Sequence, residues 1–504
     1  MFRSYPILLL TVPLAGGIYL SDTFFHSPNV LSLHLGILTV LTLVLLMSAI
    51  FRSYRYRWVF GLVLFLWMMT FGSVLVQYEN SVLSPTWNPN RQIYHGVVLE
   101  PTRERAKTYC CRMKVDRREV LVYIMKDSLS SRISPFDSLI FLTQLSVPEA
   151  NYSRSLSGVG IVFRGQWVNC GKARSSIRQS AMKCRTNLLH IIQEWGMPEE
   201  QGLINALAVG NKAELNADQR THFSQAGVGH VLALSGLHVG IIWGVLVFLL
   251  SPFRKSLAGR VISWVVMTVV LWAYAFVTGL AASVVRAVAM CLLIELGRIR
   301  HSRISTINIL SAVAGGMLIY HPYYLYDVGF QLSFLAVLSI CICYRPLCDM
   351  ISLSNPFLSY LWKLLCVSFS AQIGTAPLVA FYFGSFPVYF LLGNLLITPL
   401  IPLILYLIIL SFSTAVLPPV HTCMLWLLKQ TAHFVTYLTD QISMFPYSVI
   451  RFTSVSSLSV VWTYLFLASI IFTFSSRKRQ NKIVTLVVIW LGTVLCLSDV
   501  YRWK

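Results

Sequence analysis

The residues best placed to do chemistry lie in the stretch 226–240, AGVGHVLALSGLHVG, where a long polar segment meets the first of many apolar runs. His230, Ser235 and His238 sit there among four glycines and two alanines. Ser235 and His238 are three residues apart, a spacing that lets a hydroxyl and an imidazole meet on one helical turn. Such a pair serves either as nucleophile and base or as the polar lining of a wet path. No third orienting group and no oxyanion device accompanies it in the sequence, which weighs against the catalytic use. Gly-rich backbone at membrane depth must be sheltered by protein or face a water-filled cavity, because lipid cannot satisfy its hydrogen bonds.

Three more clusters carry polar groups inside apolar runs. In TGLAASVVRA (278–287), Ser283 and Arg286 share a helix face. An arginine within a span faces a cavity or a partner, and a phosphate backbone is one such partner; a structural counter-ion is the other reading. In HPYYLYDVGFQLSFLA (321–336), Gln331 follows Asp327 by four residues, and Phe334 follows Phe330 by four. The aromatic pair reads as packing or as a stacking platform. In SFSAQIGTAP (368–377) and the following FYFGSFPVYFLLGN (381–394), Gln372, Thr375 and Asn394 lie beside Gly and Pro breaks. Broken helices with polar ends build many transport pathways, although an ordinary Pro-kinked bundle fits too. Glu295 is expected to pair with Arg298, three residues on. Nucleotide-binding loops, HExxH and HxHxDH are absent, so no cofactor or metal is expected from motifs.

The elements that must hold these residues are membrane helices. The 504 residues are 56% hydrophobic and only 12% charged, about half the usual charged fraction of soluble domains. Apolar runs recur near the ~20-residue spanning length. Spans are expected at 5–20, 30–51 and 58–76, the first retained rather than cleaved, and then at 230–250, 261–278, 281–296, 304–320, 329–344, 358–373, 381–397, 400–417, 460–474 and 483–497. His421 to Phe434 reads as amphipathic. The net charge is +21; residues 79–220 hold 13 of the 19 acids and 19 of the 40 Lys and Arg, leaving 6 acids and 21 bases for the membrane part. That excess fits short cytoplasmic loops, with a polyanionic partner as the alternative. Arg52, Arg55, Arg57, Arg254, Lys255, Arg260, Arg298, Arg300, Arg303 and Arg345 fall on one side with the basic run 477–482, which puts the segment after the third span outside.

That segment alternates apolar and polar residues in five stretches, beginning at His95, Thr108, Arg118, Asp137 and Gly160. The fold class expected is therefore a polytopic α-helical membrane protein with an extracytoplasmic five-stranded OB-like β domain inserted after the third span. Tyr109, Arg112, Lys114, Arg117, Arg118 and Tyr123 interleave charge and rings, which suits single-stranded nucleic acid; a generic β scaffold is the other reading. Cys110, Cys111, Cys170 and Cys184 permit disulfides in an oxidising compartment. The CxC at Cys341 and Cys343 falls in a span and reads as packing. A helix is expected over 173–195, then short helices over 198–209 and 216–225, with Asn216 as N-cap and Gln219 completing a capping box. The domain order is then 1–77 spans, 78–170 β domain, 171–225 helical linker and 226–504 membrane core.

These strings, in this order, resemble the ComEC-type competence family, the inner-membrane channel for DNA uptake in natural transformation. The resemblance rests on AGVGHVLALSGLHVG (226–240), TGLAASVVRA (278–287), DVGFQLSFLAV (327–337) and the run from QIGTAP to GNLLITP (372–399), with ALAVGNKAEL (206–215) before them. It implies a channel for single-stranded DNA and not an enzyme. Its lining is assigned to His230, Ser235, His238, Ser283, Arg286, Asp327, Gln331, Gln372 and Asn394. The partners implied are membrane lipid, a DNA receptor, a cytoplasmic DNA-translocating ATPase, a separate nuclease and a second copy of the chain. Many members carry a carboxy-terminal metallo-β-lactamase-like domain; this sequence ends at Lys504 just after a span, so passage of DNA rather than its hydrolysis is expected. Asn211 stands where members often have an acid. The alternative class is a membrane-embedded hydrolase or transferase using Ser235 and His238.

Overall fold

The computed structural model describes residues 5–475 apart from 25–29, 51–56, 84–86, 89, 101, 117, 148–157, 173–176, 213, 301–304 and 453–454. The expected span at 483–497 and the basic run 477–482 lie outside the described residues. The chain divides into two compact units, Met1–Cys184 with Ser311–Asp327, and Arg185–Leu310 with Val328–Lys504.

In the first unit, α1 (Leu8–Phe24), α2 (Val30–Ile50) and α3 (Arg57–Leu83) are apolar on every side. Helices of this kind find their register through small and polar residues rather than through an apolar stripe. Ser73 Oγ donates to the Gly17 carbonyl at 3.0 Å, and Ser21 Oγ donates to the Ser73 carbonyl at 3.3 Å. Gln77 Nε2 lies 3.1 Å from His34 Nδ1, which ties α2 to the same seam. The 311–327 segment joins this unit by side-chain bonds. Thr11 Oγ1 donates to the Ser311 carbonyl at 2.9 Å, His321 Nδ1 lies 3.1 Å from Glu79 Oε1, and the Tyr323 hydroxyl donates to Asn80.

The β domain follows α3. Its strands are β1 (Gln92–Val98), β2 (Arg103–Glu104), β3 (Thr108–Val115), β4 (Arg118–Met125), β5 (Asp137–Thr143), β6 (Leu145–Ser146), β7 (Gly158–Val162) and β8 (Trp167–Lys172). They form one sheet in the order β6-β7-β4-β3-β1-β5-β8, with β2 on β3. Only the β4–β7 pair is parallel. β5 and β6 are separated by one residue, Gln144, so the run that pairs with β1 also pairs with β7, and the sheet closes on itself. Across that seam Thr143 Oγ1 donates to the Ile161 carbonyl at 2.7 Å. Alternation points Cys111, Met113, Val120, Val122, Leu139 and Phe141 into the core and leaves Arg112, Lys114, Glu119 and Tyr123 outward.

All five alternating stretches are strands, but the count of five is corrected to eight among the described residues. β2 and β6 are two residues long and carry no alternation to detect. The stretch beginning at Gly160 holds β7 and the start of β8, split by the turn at Gly165, whose φ is +73°. Cys110, Cys111, Cys170 and Cys184 are free thiols in the structure. Cys111 faces the barrel interior, where burial, and then Cys110 beside it, push its thiol up to about 12.

The second unit takes up the chain at Arg185 within α4 (Ile177–Glu194) and continues through α5 (Gln201–Val209), α6 (Ala217–Gln225), α7 (Gly236–Leu250), α8 (Leu257–Val277) and α9 (Ala282–Ile299). After α10 (Thr306–Tyr320), most of which belongs to the first unit, come α11 (Val328–Cys348), α12 (Pro356–Phe383), α13 (Phe390–Ile397), α14 (Leu400–Ser413), α15 (Pro418–Ser443) and α16 (Ser457–Ser475). A two-stranded ribbon pairs β9 (Ser385–Pro387) with β10 (Val449–Arg451). The ends of these helices follow local chemistry. Asn355 Oδ1 caps α12 by accepting from the Phe357 N–H at 2.9 Å, and Pro356 takes the first helical position. Gly384 closes α12 in the left-handed region. Asn216 occupies the N-cap of α6, but its side chain makes no capping hydrogen bond.

Among the described residues, seven helical stretches are long and apolar enough to cross a membrane: 31–48, 58–81, 236–255, 257–277, 328–348, 356–383 and 390–413. Together with the mixed sheet they make the chain a polytopic α-helical membrane protein. Three expected spans are redrawn. The span at 230–250 begins at Gly236, because 226–235 is a packed loop. The spans at 358–373 and 381–397 give way to one helix, α12, that runs through Pro377 to Phe383, then the ribbon strand, then the eight-residue α13. The amphipathic piece at His421 to Phe434 extends to the 26-residue α15. The helix expected at 281–296 is present as α9, but Arg286, Glu295 and Arg298 keep it out of the seven.

Candidate functional site

α6 ends at Gln225, and the chain then runs as a loop to Gly236. The loop lies on α13. Gly227 has φ +76°, and a Cβ there would come within 2.6 Å of Phe390 Cα and Cβ. In return, Gly393 of α13 lies under the Ala226 carbonyl so closely that any side chain would strike it. Only glycine satisfies both the turn and the close approach. Val228, Val231 and Leu232 drive the loop into the core that holds Ile397, Ile401 and Ile404. His230, by contrast, is exposed.

Ser235 is the N-cap of α7. Its Oγ accepts from the Leu237 N–H at 3.3 Å, and the Ser235 N–H donates back to His238 Nδ1 at 3.3 Å, a capping box with histidine in the third position. Oγ and Nδ1 are 3.1 Å apart. Because Nδ1 accepts from backbone, the proton of the neutral ring belongs on Nε2. His238 is 1% exposed, and Nε2 has no hydrogen-bond partner among the described residues.

α9 brings Ser283 and Arg286 to the same place. Ser283 Oγ donates to the Leu234 carbonyl at 2.6 Å, the residue before the cap. Arg286 is 6% exposed. Its Cζ stands 5.4 Å from the Phe334 ring centroid on α11, and a Cβ on Gly236 would lie 3.9 Å from its Nη2. Among the described residues no carboxylate pairs with Arg286, and its buried Nη1 has no hydrogen-bond partner. A desolvated guanidinium thus sits beside the N-terminus of α7, whose free N–H groups also favour an anion. The grouping offers donors and no acid: it can hold an anion, and it supplies no nucleophile–base–acid set.

The remaining expected residues are dispersed. Phe330 and Phe334 lie 4.4 Å apart between centroids with their planes tilted by 41°, so the aromatic pair exists, and Phe334 also carries the arginine. Gln331 Oε1 accepts from the Tyr382 hydroxyl at 3.0 Å, joining α11 to α12. Gln372 is half-buried on α12, and Asn394 on α13 accepts from Thr398 Oγ1 at 3.4 Å. Among the described residues no hydrogen bond or ion pair joins His230, Gln372 or Asn394 to Arg286. Asp327 is exposed and belongs to the first unit. Glu295 pairs with Arg298 at 2.7 Å, as expected, and also with Arg254, a partner 41 residues away that spacing does not reveal. On the β domain, Arg112 is held by Glu119 at 2.6 Å and Glu100 at 3.5 Å. Arg118 lies over Trp87, Arg105 over Tyr123 and Lys126 over Tyr109. Of the interleaved residues, Tyr109, Arg118 and Tyr123 are thus in cation–ring contacts and Arg112 is in ion pairs, Lys114 is exposed, and Arg117 lies outside the described residues.

Two features escaped the sequence reading. Ser235 is a helix cap, a role signalled by the S-x-x-H spacing before an apolar run. Phe334 bears the arginine, which no local spacing could indicate because 48 residues separate them.

A family model described as "Competence protein" matches residues 207–477. The chain is 27% identical over 231 residues to "ComE operon protein 3" of Bacillus subtilis, covering 46% of this chain and 28% of the relative. It is 28% identical over 220 residues to "Recombination protein 2" of Haemophilus influenzae, covering 41% and 28%. An uncharacterised protein of Aquifex aeolicus is 32% identical over 195 residues, covering 38% and 42%. The matches thus span between about a quarter and two-fifths of the length of these relatives. No solved structure matches the chain. The family match covers more than half of the chain and contains every residue of the site around Arg286, and the chain belongs to the ComEC-type competence protein family.

Proposed function

We propose that the chain passes single-stranded DNA across the cytoplasmic membrane during natural transformation, with Arg286 holding the phosphate backbone as it passes. The observation that carries this reading is the buried arginine beside the α7 N-terminus, with no carboxylate partner and its Nη1 without a hydrogen-bond partner among the described residues. A buried guanidinium without a carboxylate is costly, and a phosphodiester supplies the missing charge and acceptors. Ser235, Ser283 and Gln331 complete the lining nearby. His230, Gln372, Asn394 and Asp327 contact the strand elsewhere on its way.

The β domain, on this reading, receives the strand on the outer side as an OB-like barrel. Its support is the closed path β1-β3-β4-β7 with β5 and β6, a small antiparallel barrel with one parallel pair. The exposed Lys114, with Lys126 and Arg105 lying over the Tyr109 and Tyr123 rings, offers positive charge to a strand. A DNA receptor delivers the strand, a cytoplasmic ATPase pulls it, and two or more copies of the chain assemble in the inner membrane.

The hydrolase reading rests on the 3.1 Å contact between Ser235 and His238. It is weaker, because Ser235 Oγ is engaged as the cap and His238 Nδ1 already accepts from backbone.

The test is transformation of the native host by added DNA. Arg286→Ala and His238→Ala, at normal protein level, are expected to lower transformation at least about tenfold, the loss of one charge-assisted contact or more. Normal frequencies in both variants would refute the lining role.

A further inference from the structure

A second polar cluster lies in the same unit, outside the Arg286 site. We propose that Glu199, Glu200 and His433 bind one zinc ion. One ligand atom from each of the three comes together within 4.8 Å. Glu200 and His433 are closer still, with Oε1 and Nδ1 3.4 Å apart. Two ligands of a tetrahedral zinc, each at 2.0–2.1 Å, stand about 3.3 Å from one another, so this pair already has the spacing of a coordination edge.

The second observation is the state of Glu200. Its side chain is 3% exposed, yet neither Oε1 nor Oε2 has a hydrogen-bond partner among the described residues. It holds the N-cap position of α5, but its carboxylate caps nothing. A buried carboxylate with two orphaned oxygens demands a cation or a proton.

The other histidine–carboxylate pairs show what a self-sufficient contact looks like. His222 Nδ1 meets Asp440 Oδ1 at 2.7 Å, His321 meets Glu79 at 3.1 Å, and His190 meets Glu194 at 3.2 Å. Each is at hydrogen-bond distance. Glu200 and His433 stand wider, and a second carboxylate, Glu199, joins them.

One imidazole and two carboxylates suit zinc better than magnesium or calcium, which prefer oxygen alone. Glu199 and His433 are exposed, so the ion has an open side for water and exchanges with solution. It ties the segment before α5 to α15, and α15 also receives α6 through the His222–Asp440 pair.

The experiment uses the full chain purified in detergent, stripped with a chelator and titrated with zinc alone. One zinc per chain is expected. His433→Ala is expected to weaken that binding at least tenfold; His433 is largely exposed, so the variant folds. Glu200→Gln is expected to do the same, while His190→Ala leaves the affinity unchanged. Zinc should raise the thermal midpoint of the wild type and not that of His433→Ala. The proposal is overturned if wild type and His433→Ala bind zinc alike, or if the bound zinc disappears with His190→Ala instead.

Discussion

At Ser235, the same hydroxyl could be a nucleophile, a lining group or a helix cap, and its hydrogen bonds choose the cap. It accepts from the Leu237 N–H while its own N–H goes to His238 Nδ1. An N-cap side chain contributes about 1 kcal/mol, and Asn replaces Ser there without loss. Ser235→Ala should therefore lower the thermal midpoint and reduce DNA uptake with it, whereas Ser235→Asn should restore both. Asparagine caps but is no nucleophile, so loss of uptake in Ser235→Asn with intact stability would return the hydroxyl to the chemistry. The residue types at the site were legible in the sequence, as was the Ser283–Arg286 face. The partners across helices were not, because Phe334 and Leu234 reach the site only through the packing of α7, α9 and α11.

At the scale of elements, the loop between α6 and α7 shows why helix boundaries escape a hydropathy reading. His230 to Gly236 is apolar enough to pass for the start of a span, but the turn at Gly227 and the seat on α13 hold it irregular. The same contact fixes glycine at 393 in the middle of α13, under the Ala226 carbonyl. Gly227→Ala combines positive φ with a 2.6 Å clash against Phe390, and should cost roughly 2 kcal/mol or more. Hydrogen exchange should then rise across 226–235 and α13, with the β domain unchanged. Unaltered protection in that loop would show that its seat is not held by the glycine pair. In the β domain, the six longer strands declared themselves as five alternating stretches, the last of which ran β7 and β8 together. β2 and β6 did not, because two residues cannot alternate, and their places follow from the ladder partners alone.

At the scale of the whole molecule, composition alone established the membrane class, because few charges spread over long apolar runs leave little else. The site is less visible at that scale. α9 carries three of the charges of the membrane core, and only the folded unit separates their uses. Glu295 with Arg254 and Arg298 forms an internal ion-pair set; Arg286 has no such partner among the described residues. That contrast is the basis for assigning Arg286, rather than the other basic residues, to the path of the strand. The most direct measurement places a photo-crosslinking phenylalanine analogue at Phe334, the ring beneath Arg286, and illuminates cells while labelled DNA is entering. A covalent adduct between this chain and the DNA is predicted at position 334, and none with the analogue at Phe248, an exposed ring on α7. DNA entry at normal rates with no adduct at 334, or with equal adducts at 334 and 248, would contradict the account.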